Sequence, residues 1–334
     1  MINKDNLKIA IVGCGALTRI FYLPVFKRLS VNPVVLVDPD LTSINDLAKS
    51  SGAKKISNSL EDIADDIDAA IIATPNFLHF PQTKILLEKG KHVLLEKPIA
   101  SKEALVKELI NVEKSSGVIL QPAMMRRFWK INKAVKTLLQ EEIFGILQSV
   151  SMQEGGVLNW PVQSTAIFNP ALSLGGVLMD TGSHTLDLLC WWVENRDFEL
   201  EYEDDSHGGV EADCRLSVNF MNTSVKAEVK LSRIRNMSNE FILTGTKGWI
   251  KLKPWGNVFE ASDRRIEKYI YRQYTREELK KQSFIDLFTE QVKNWLFAIE
   301  HGSAPVIDAE SVLPSIRMIE QGYQHRRQLK YAWN

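Results

Sequence analysis

Short runs of β-branched and other apolar residues, separated by longer stretches of helical period, fill the chain from Leu7 to about Pro122. They read Leu7-Lys-Ile-Ala-Ile-Val12, Pro33-Val-Val-Leu-Val-Asp38, Asp68-Ala-Ala-Ile-Ile-Ala-Thr74, Lys91-His-Val-Leu-Leu-Glu96 and Gly117-Val-Ile-Leu-Gln121, with a weaker candidate at Lys55-Ile56. Alternation of this kind is the pattern of a parallel sheet covered by helices. The clearest connecting helix spans Ser101 to Ser116, with Ser101 as its cap, Glu103 in its first turn and Gly117 as its stop. At 334 residues the chain exceeds what one core usually supports, and after Met125 its character changes. A helix around Ile131 to Glu141 precedes a strand-like Ile146 to Met152, an irregular Pro-containing stretch and an apolar helix ending near Val193. Between Asp213 and Lys253 the runs Arg215 to Phe220, Ser224 to Leu231 and Glu240 to Thr244 alternate as half-buried antiparallel strands do, and Gly245-Thr-Lys-Gly248 turns into Trp249 to Lys253. The tail, Phe284 to Glu300 and Ala309 to Tyr323, reads as two amphipathic helices. Two α/β domains are therefore expected, at 1–122 and 123–334.

The 41 Lys and Arg residues balance 41 Asp and Glu, so no net field favours a nucleic acid or an anionic membrane as partner. The local runs Arg264-Arg265 and Lys280-Lys281 read as solvated faces. Cys14, Cys190 and Cys214 show no paired spacing, which suggests neither a disulfide framework nor a zinc site and fits a reducing compartment. The start of the chain runs into a short strand without the long apolar stretch of a secretion signal or membrane span. The expected location is the cytoplasm.

Directly after the first strand comes Gly13-Cys14-Gly15-Ala16-Leu17-Thr18, followed by a helix. That is the context of a dinucleotide-binding turn, although a structural turn without ligand fits the same residues. Gly13 permits the tight bend, Gly15 lets a pyrophosphate approach the backbone, and the helix N-terminus offers free N–H donors. Gly13, Cys14, Gly15, Ala16 and Leu17 are thus expected cofactor contacts. Thr18 stands where a third Gly or Ala normally lets helix and strand pack closely, so a helix set slightly further out is expected. Asp38 ends the second strand some two dozen residues downstream, where a carboxylate accepts the adenosine ribose hydroxyls and repels a 2′-phosphate. It points to NAD over NADP; the alternative is a turn-starting aspartate before Pro39.

Further along, Ala73-Thr-Pro-Asn-Phe-Leu-His79, Leu95-Glu-Lys-Pro98 and Gly175-Gly-Val-Leu-Met-Asp-Thr-Gly-Ser-His-Thr-Leu-Asp187 follow one another. In order and spacing they resemble the signatures of the Gfo/Idh/MocA oxidoreductases, named after glucose-fructose oxidoreductase and inositol dehydrogenase. The resemblance spans nearly the whole chain, including its close around Leu313 to Tyr323. It implies an N-terminal Rossmann domain holding a nicotinamide cofactor and a C-terminal α/β domain with an open, mainly antiparallel sheet. That sheet would cover the active site and mediate a homo-oligomer, a dimer or tetramer. The resemblance further implies that the Thr74, Pro75, Asn76 and His79 segment lies against the cofactor ribose, that Lys97 contributes to proton transfer, that Pro98 fixes its turn, and that Asp180 and His184 line the substrate site.

The residues themselves support parts of this. Thr74-Pro75-Asn76 and Glu96-Lys97-Pro98 both end strands at the carboxyl edge of the sheet, where ligands of open α/β folds bind. Burial beside a nicotinamide cation suits Lys97 to exchange a proton with a substrate hydroxyl, with Glu96 orienting it and counted among the cofactor-side residues. For His79 an exposed or capping role fits equally. Asp180, His184 and Asp187 fall at i, i+4 and i+7, hence on one helical face. There His184 can relay a proton while a carboxylate one turn away holds its tautomer and stabilises the imidazolium; Asp187 can be structural. No third convincing ligand accompanies them, so no metal is expected. Arg126, beside Arg127, suits a carboxylate or phosphate of a substrate, with solvated arginines as the alternative. Trp160 can stack on a sugar ring or simply pack, and Trp191-Trp192 read as core. The function expected is hydride transfer between NAD and a secondary alcohol of a small sugar, sugar derivative or cyclitol. A lyase or glycosidase that oxidises transiently and a dinucleotide-binding regulator without catalysis are the alternatives.

Overall fold

A computed structural model describes residues 7–159, 165–206, 209–255 and 258–330. Its first sheet contains β1 (Ile9–Val12), β2 (Val35–Val37), β3 (Lys55–Ser57), β4 (Ala69–Ile72), β5 (His92–Leu95) and β6 (Leu120–Pro122). They run parallel in the order β3-β2-β1-β4-β5-β6. β1 and β4 are buried at every position because helices cover both faces. The strand order reverses between β1 and β4, which opens a crevice at their carboxyl ends. The weak signal at Lys55-Ile56 is the edge strand β3. The helix expected from Ser101 begins at Glu103 and ends at Ser116, with Gly117 in the left-handed region at φ 65°. Ser101 does not cap it: Lys102 holds that position without a side-chain bond, and the Glu103 N–H instead donates to Glu320 Oε2 at 2.9 Å. A carboxylate more than two hundred residues away replaces the local cap.

The second sheet contains β7 (Leu147–Gly155), β8 (Phe198–Asp204), β9 (Asp213–Phe220), β10 (Lys226–Ser232), β11 (Glu240–Gly245), β12 (Gly248–Leu252), β13 (Phe259–Ala261) and β14 (Arg327–Gln328). Its order is β13-β12-β11-β7-β10-β9-β8-β14. Neighbours are antiparallel except β7 with β10 and β8 with β14. In β9 and β10 buried and exposed residues alternate, so one face meets the helix Val177–Val193. Sequence reading missed β8, β13, β14 and two polar helices, Arg264–Gln273 and Arg276–Lys281; the second opens with a capping box of Thr275 and Glu278. Arg264, Arg265, Lys280 and Lys281 are exposed, as read.

The 122/123 division marks the end of the first sheet, yet the chain returns to it. In the helix Phe284–His301, Phe288 stacks on Phe21 at 4.5 Å and meets the edge of Tyr22 at 5.3 Å. Gln121 donates to the Gln291 carbonyl at 3.0 Å. Among the described residues no helix is long and apolar enough to cross a membrane.

Candidate active site

The crevice is built first by Gly13. At φ 90° its backbone favours glycine, and an added Cβ would lie 2.5 Å from the Ala73 carbonyl oxygen and 2.8 Å from the Thr74 nitrogen. The turn after β1 therefore packs directly on the turn after β4. Three bonds shape it. Gly13 N–H donates to Val37 O at 2.8 Å, Cys14 N–H to Asp38 Oδ2 at 2.8 Å, and the Thr18 hydroxyl to Gly13 O at 2.6 Å. Thr18 is fully buried, and the chain takes a π turn over Thr18–Tyr22. Burial, followed by the Asp38 charge, pushes the Cys14 thiol up to about 12; the thiol is inert packing. Ala16 and Leu17 open the helix, so the amides of Gly15, Ala16 and Leu17 have no intrahelical acceptor. Asp38 is both the strand-end carboxylate and a turn starter, because its Oδ1 accepts the Asp40 N–H at 3.0 Å. Free helix-terminal donors, a side-chain-free bend and a fixed, half-exposed carboxylate make a set that fits a dinucleotide.

The next loop is tied to the rest of the protein. The Thr74 hydroxyl donates to Gln82 Oε1 at 2.8 Å, Pro75 is exposed, and the Asn76 amide donates to the Ser173 carbonyl at 2.7 Å, reaching the second domain. His79 corrects two expectations. It is 1% exposed, and its ring nitrogens lie 2.7 Å from Pro98 O and 2.8 Å from Thr74 O. Neither nitrogen is left for a cofactor; the ring joins the Thr74 loop to the Lys97 turn. Burial lowers its pKa against those two carbonyls.

Lys97 follows β5 and precedes Pro98 through a cis peptide bond. Its ammonium lies 2.5 Å from Asp180 Oδ1 and 3.1 Å from the Asp180 carbonyl. Glu96 does not orient that ammonium. It is buried, accepts the Tyr22 hydroxyl at 2.5 Å and the Lys97 backbone N–H at 3.2 Å, and burial raises its pKa. Tyr22 itself carried no sequence signal.

Asp180 is set by the start of the helix Val177–Val193. Glu211 receives the Gly176 N–H on both carboxylate oxygens at 2.9 Å, the Leu178 N–H at 3.0 Å and the Tyr323 hydroxyl at 2.8 Å. Only glycine fits before the helix, because a Cβ on Gly176 would lie 1.9 Å from the Glu211 carbonyl oxygen. Asp180, His184 and Asp187 share a face as read, but their partners diverge. Burial alone would push the Asp180 carboxyl up; the Lys97, Arg233 and Arg126 charges outweigh it and hold the carboxyl below its ordinary range. Asp187 is a buried partner of Arg127 at 2.6 and 2.8 Å. His184, 9% exposed, hydrogen-bonds no described residue, and its Nδ1 is buried without a partner. Burial, reinforced by the Lys97 and Arg126 charges, pushes its pKa well below the ordinary 6.5. The expected imidazolium with a carboxylate beside it is therefore replaced by a neutral ring.

Arg126 and Arg127 are neither solvated nor open to a substrate. Arg126 makes a buried bidentate pair with Glu154 at 2.7 and 2.6 Å, and Glu154 also accepts the Thr185 hydroxyl at 2.9 Å. Arg127 holds Asp187 and the Ser311 hydroxyl and carbonyl. Trp192 is core, whereas Trp191 is half-buried beneath the Arg127 and Lys136 cations, 5.7 and 5.9 Å from its centroid. Trp160 lies outside the described residues. Sequence reading missed Arg233, whose Nη2 lies 3.4 Å from Asp180 Oδ2. Among the described residues no group of three or more His, Cys, Asp or Glu is placed to hold a metal ion.

Comparison with known proteins agrees with this architecture. Residues 7–124 match the oxidoreductase family with NAD-binding Rossmann fold, and residues 165–332 match that family's C-terminal alpha/beta domain. The scyllo-inositol 2-dehydrogenase (NADP(+)) of Bacillus subtilis is 34% identical over 152 residues, 42% of this chain and 43% of that protein. The chain spans about half the length of the curated relatives it matches. Among solved structures, the aldose-aldose oxidoreductase from Caulobacter crescentus superposes with a TM-score of 0.80 at 23% identity, covering 96% of this chain and 97% of that one. The WlbA dehydrogenase from Bordetella pertussis, solved with NADH and UDP-GlcNAcA, gives 0.82 at 17% identity over 97% and 96%. Since both halves of the family architecture are matched in sequence, along the elements that bring Lys97 to Asp180, the chain belongs to the Gfo/Idh/MocA oxidoreductases with an NAD(P)-binding Rossmann domain.

Proposed function

We propose that this protein is an NAD-dependent oxidoreductase that transfers hydride between a secondary alcohol of a sugar, sugar derivative or cyclitol and the nicotinamide, working as a cytoplasmic homo-oligomer. The observation that carries the reading is the Lys97–Asp180 pair at 2.5 Å, at the carboxyl end of β5 beside the crevice. A bound NAD supplies the hydride acceptor. On reduction the Lys97 ammonium donates a proton to the carbonyl oxygen and is left as the amine, and on oxidation that amine takes the hydroxyl proton and becomes the ammonium again, while both Asp180 contacts hold Nζ in place. His184, kept neutral by burial and the neighbouring cations, orients a substrate oxygen by hydrogen bonding and relays no proton. Asp38 favours NAD, because its backbone-fixed carboxylate stands where a 2′-phosphate would meet like charge.

A screen of free sugars, activated sugars, aminosugars and inositols, run in parallel with NAD and NADP and followed by reduced-nicotinamide absorbance, tests the reading. Turnover with NAD is expected for at least one alcohol. Lys97→Ala is expected to lower kcat by about 10²–10⁴-fold while cofactor affinity stays. Unchanged turnover in that variant overturns the assignment.

A further inference from the structure

Two cations share one carboxylate in this site. Asp180 Oδ1 meets Lys97 at 2.5 Å and Asp180 Oδ2 meets Arg233 at 3.4 Å. Arg126 is already matched by Glu154 at 2.6 Å, and His184 adds no compensating anion. Within the Lys97, Asp180 and Arg233 triad two cations thus face one carboxylate; Glu96, the other acid beside Lys97, is turned to the Tyr22 hydroxyl and the Lys97 backbone N–H.

Arg233 is the cation of this group with donors to spare. It is 8% exposed, so it is not a solvated surface arginine. Its main chain is fixed beside β10, with its N–H on Ala212 O at 2.8 Å and its carbonyl accepting the Leu158 N–H at 2.9 Å. Yet its Nε and Nη1 are buried with no acceptor among the described residues, and the Nη2 contact is long for an ion pair, which closes to about 2.7–2.9 Å when well formed. A guanidinium offers five N–H donors in a rigid fork, and leaving buried charged donors unmatched is costly. With one long contact holding it, the fork can turn toward the Asp180 side chain, which at 40% exposure is the open edge of the cluster. A bidentate oxyanion there would satisfy both the donors and the charge.

We infer that Arg233, together with Lys97, recognises an anionic substituent on the substrate, a carboxylate or a phosphate, so that the protein acts on an acidic sugar or cyclitol and discriminates against the neutral polyol. This rests on the site being the sugar site proposed above.

The test uses the intact protein loaded with NADH and titration calorimetry, which needs no turnover. The probes are matched sets: glucose, glucuronate and glucose 6-phosphate; galactose, galacturonate and galactose 6-phosphate; myo-inositol and its 1-phosphate. An acidic member is expected to bind more tightly than its neutral parent by on the order of tenfold or more, with the preference lost in Arg233→Gln and only partly retained in Arg233→Lys, which keeps the charge but not the fork. Tight binding of carboxylates alone or phosphates alone identifies the oxyanion and sustains the inference. Neutral parents binding as well as the acids, no acid binding at all, or a preference that survives Arg233→Gln overturns it. Should Arg233→Gln fail to fold, the comparison of acid with neutral parent on the unaltered protein still decides. The two proposals fail separately: binding of acids without any NADH formation removes the dehydrogenase reading alone, and indiscriminate oxidation of neutral polyols removes this one alone.

Discussion

The charge state of His184 is set by neighbours across the fold rather than by those on its own helix. The i, i+4, i+7 pattern placed it beside Asp180 and Asp187, but each carboxylate has a cationic partner elsewhere, Lys97 for one and Arg127 for the other. The ring is left buried between positive charges, where its protonated form is doubly disfavoured. Since its pKa lies well below 6.5, the ring is already neutral throughout the window of about pH 6 to 8. His184→Asn is accordingly expected to reduce kcat by about 10–100-fold through lost orientation while leaving the shape of the pH–rate profile in that window unchanged. An acidic limb near pH 6.5 in the parent protein that vanishes in the variant would return the proton-relay role to this histidine. The same limit of sequence reading applies to Arg126 and Arg127. Their residue type suits an anion, but only the fold shows that Glu154 and Asp187 already occupy them.

At the level of elements, the strands were legible because burial on both faces leaves continuous apolar runs, and the half-buried strands β9 to β12 because one face alternates. Helix termini were less legible wherever tertiary partners replaced local caps. Glu103 is capped by Glu320, and the helix carrying Asp180 is capped by Glu211, which lies beyond β8 in the chain. Neither spacing resembles a capping box. Glu211 is fully buried and binds two backbone N–H groups that have no other acceptor in the first turn. Glu211→Ala should therefore destabilise the protein by about 2–4 kcal/mol in urea unfolding, more than a surface cap would. Because the first turn carries Asp180, turnover should fall even in preparations that remain folded. A loss below about 0.5 kcal/mol, the scale of an ordinary surface substitution, would show that the helix start is held by something other than Glu211.

The whole molecule is closed by its C-terminal segment, and this was the least legible scale, because the amphipathic pattern of Phe284 to Glu300 predicts a helix without saying which core it completes. The aromatic contacts of Phe288 and the Glu320 cap bring that segment onto the first domain, and so does Lys114 pairing with Glu310. At this junction Glu113 accepts the Leu120 N–H at 2.9 Å. Burial first, and then the like charges of Asp308 and Glu310, raise its pKa from the ordinary 4.5 to about 7, against the Leu120 bond and the Lys114 charge. The folded protein thus binds a proton that the unfolded chain has released once the pH exceeds 4.5. Stability from this group is present at or below that pH and is lost as the pH rises toward about 7. Glu113→Gln keeps an acceptor for Leu120 and removes the titration. Above pH 7 the variant should be the more stable protein by on the order of 1 kcal/mol, allowing for the partial exposure of the group, and the difference should shrink on acidification toward about 4.5. Urea unfolding of both proteins at matched pH reads that difference directly, since every other titration cancels between them. Parallel stability profiles would mean that the junction does not sense its own acidic return.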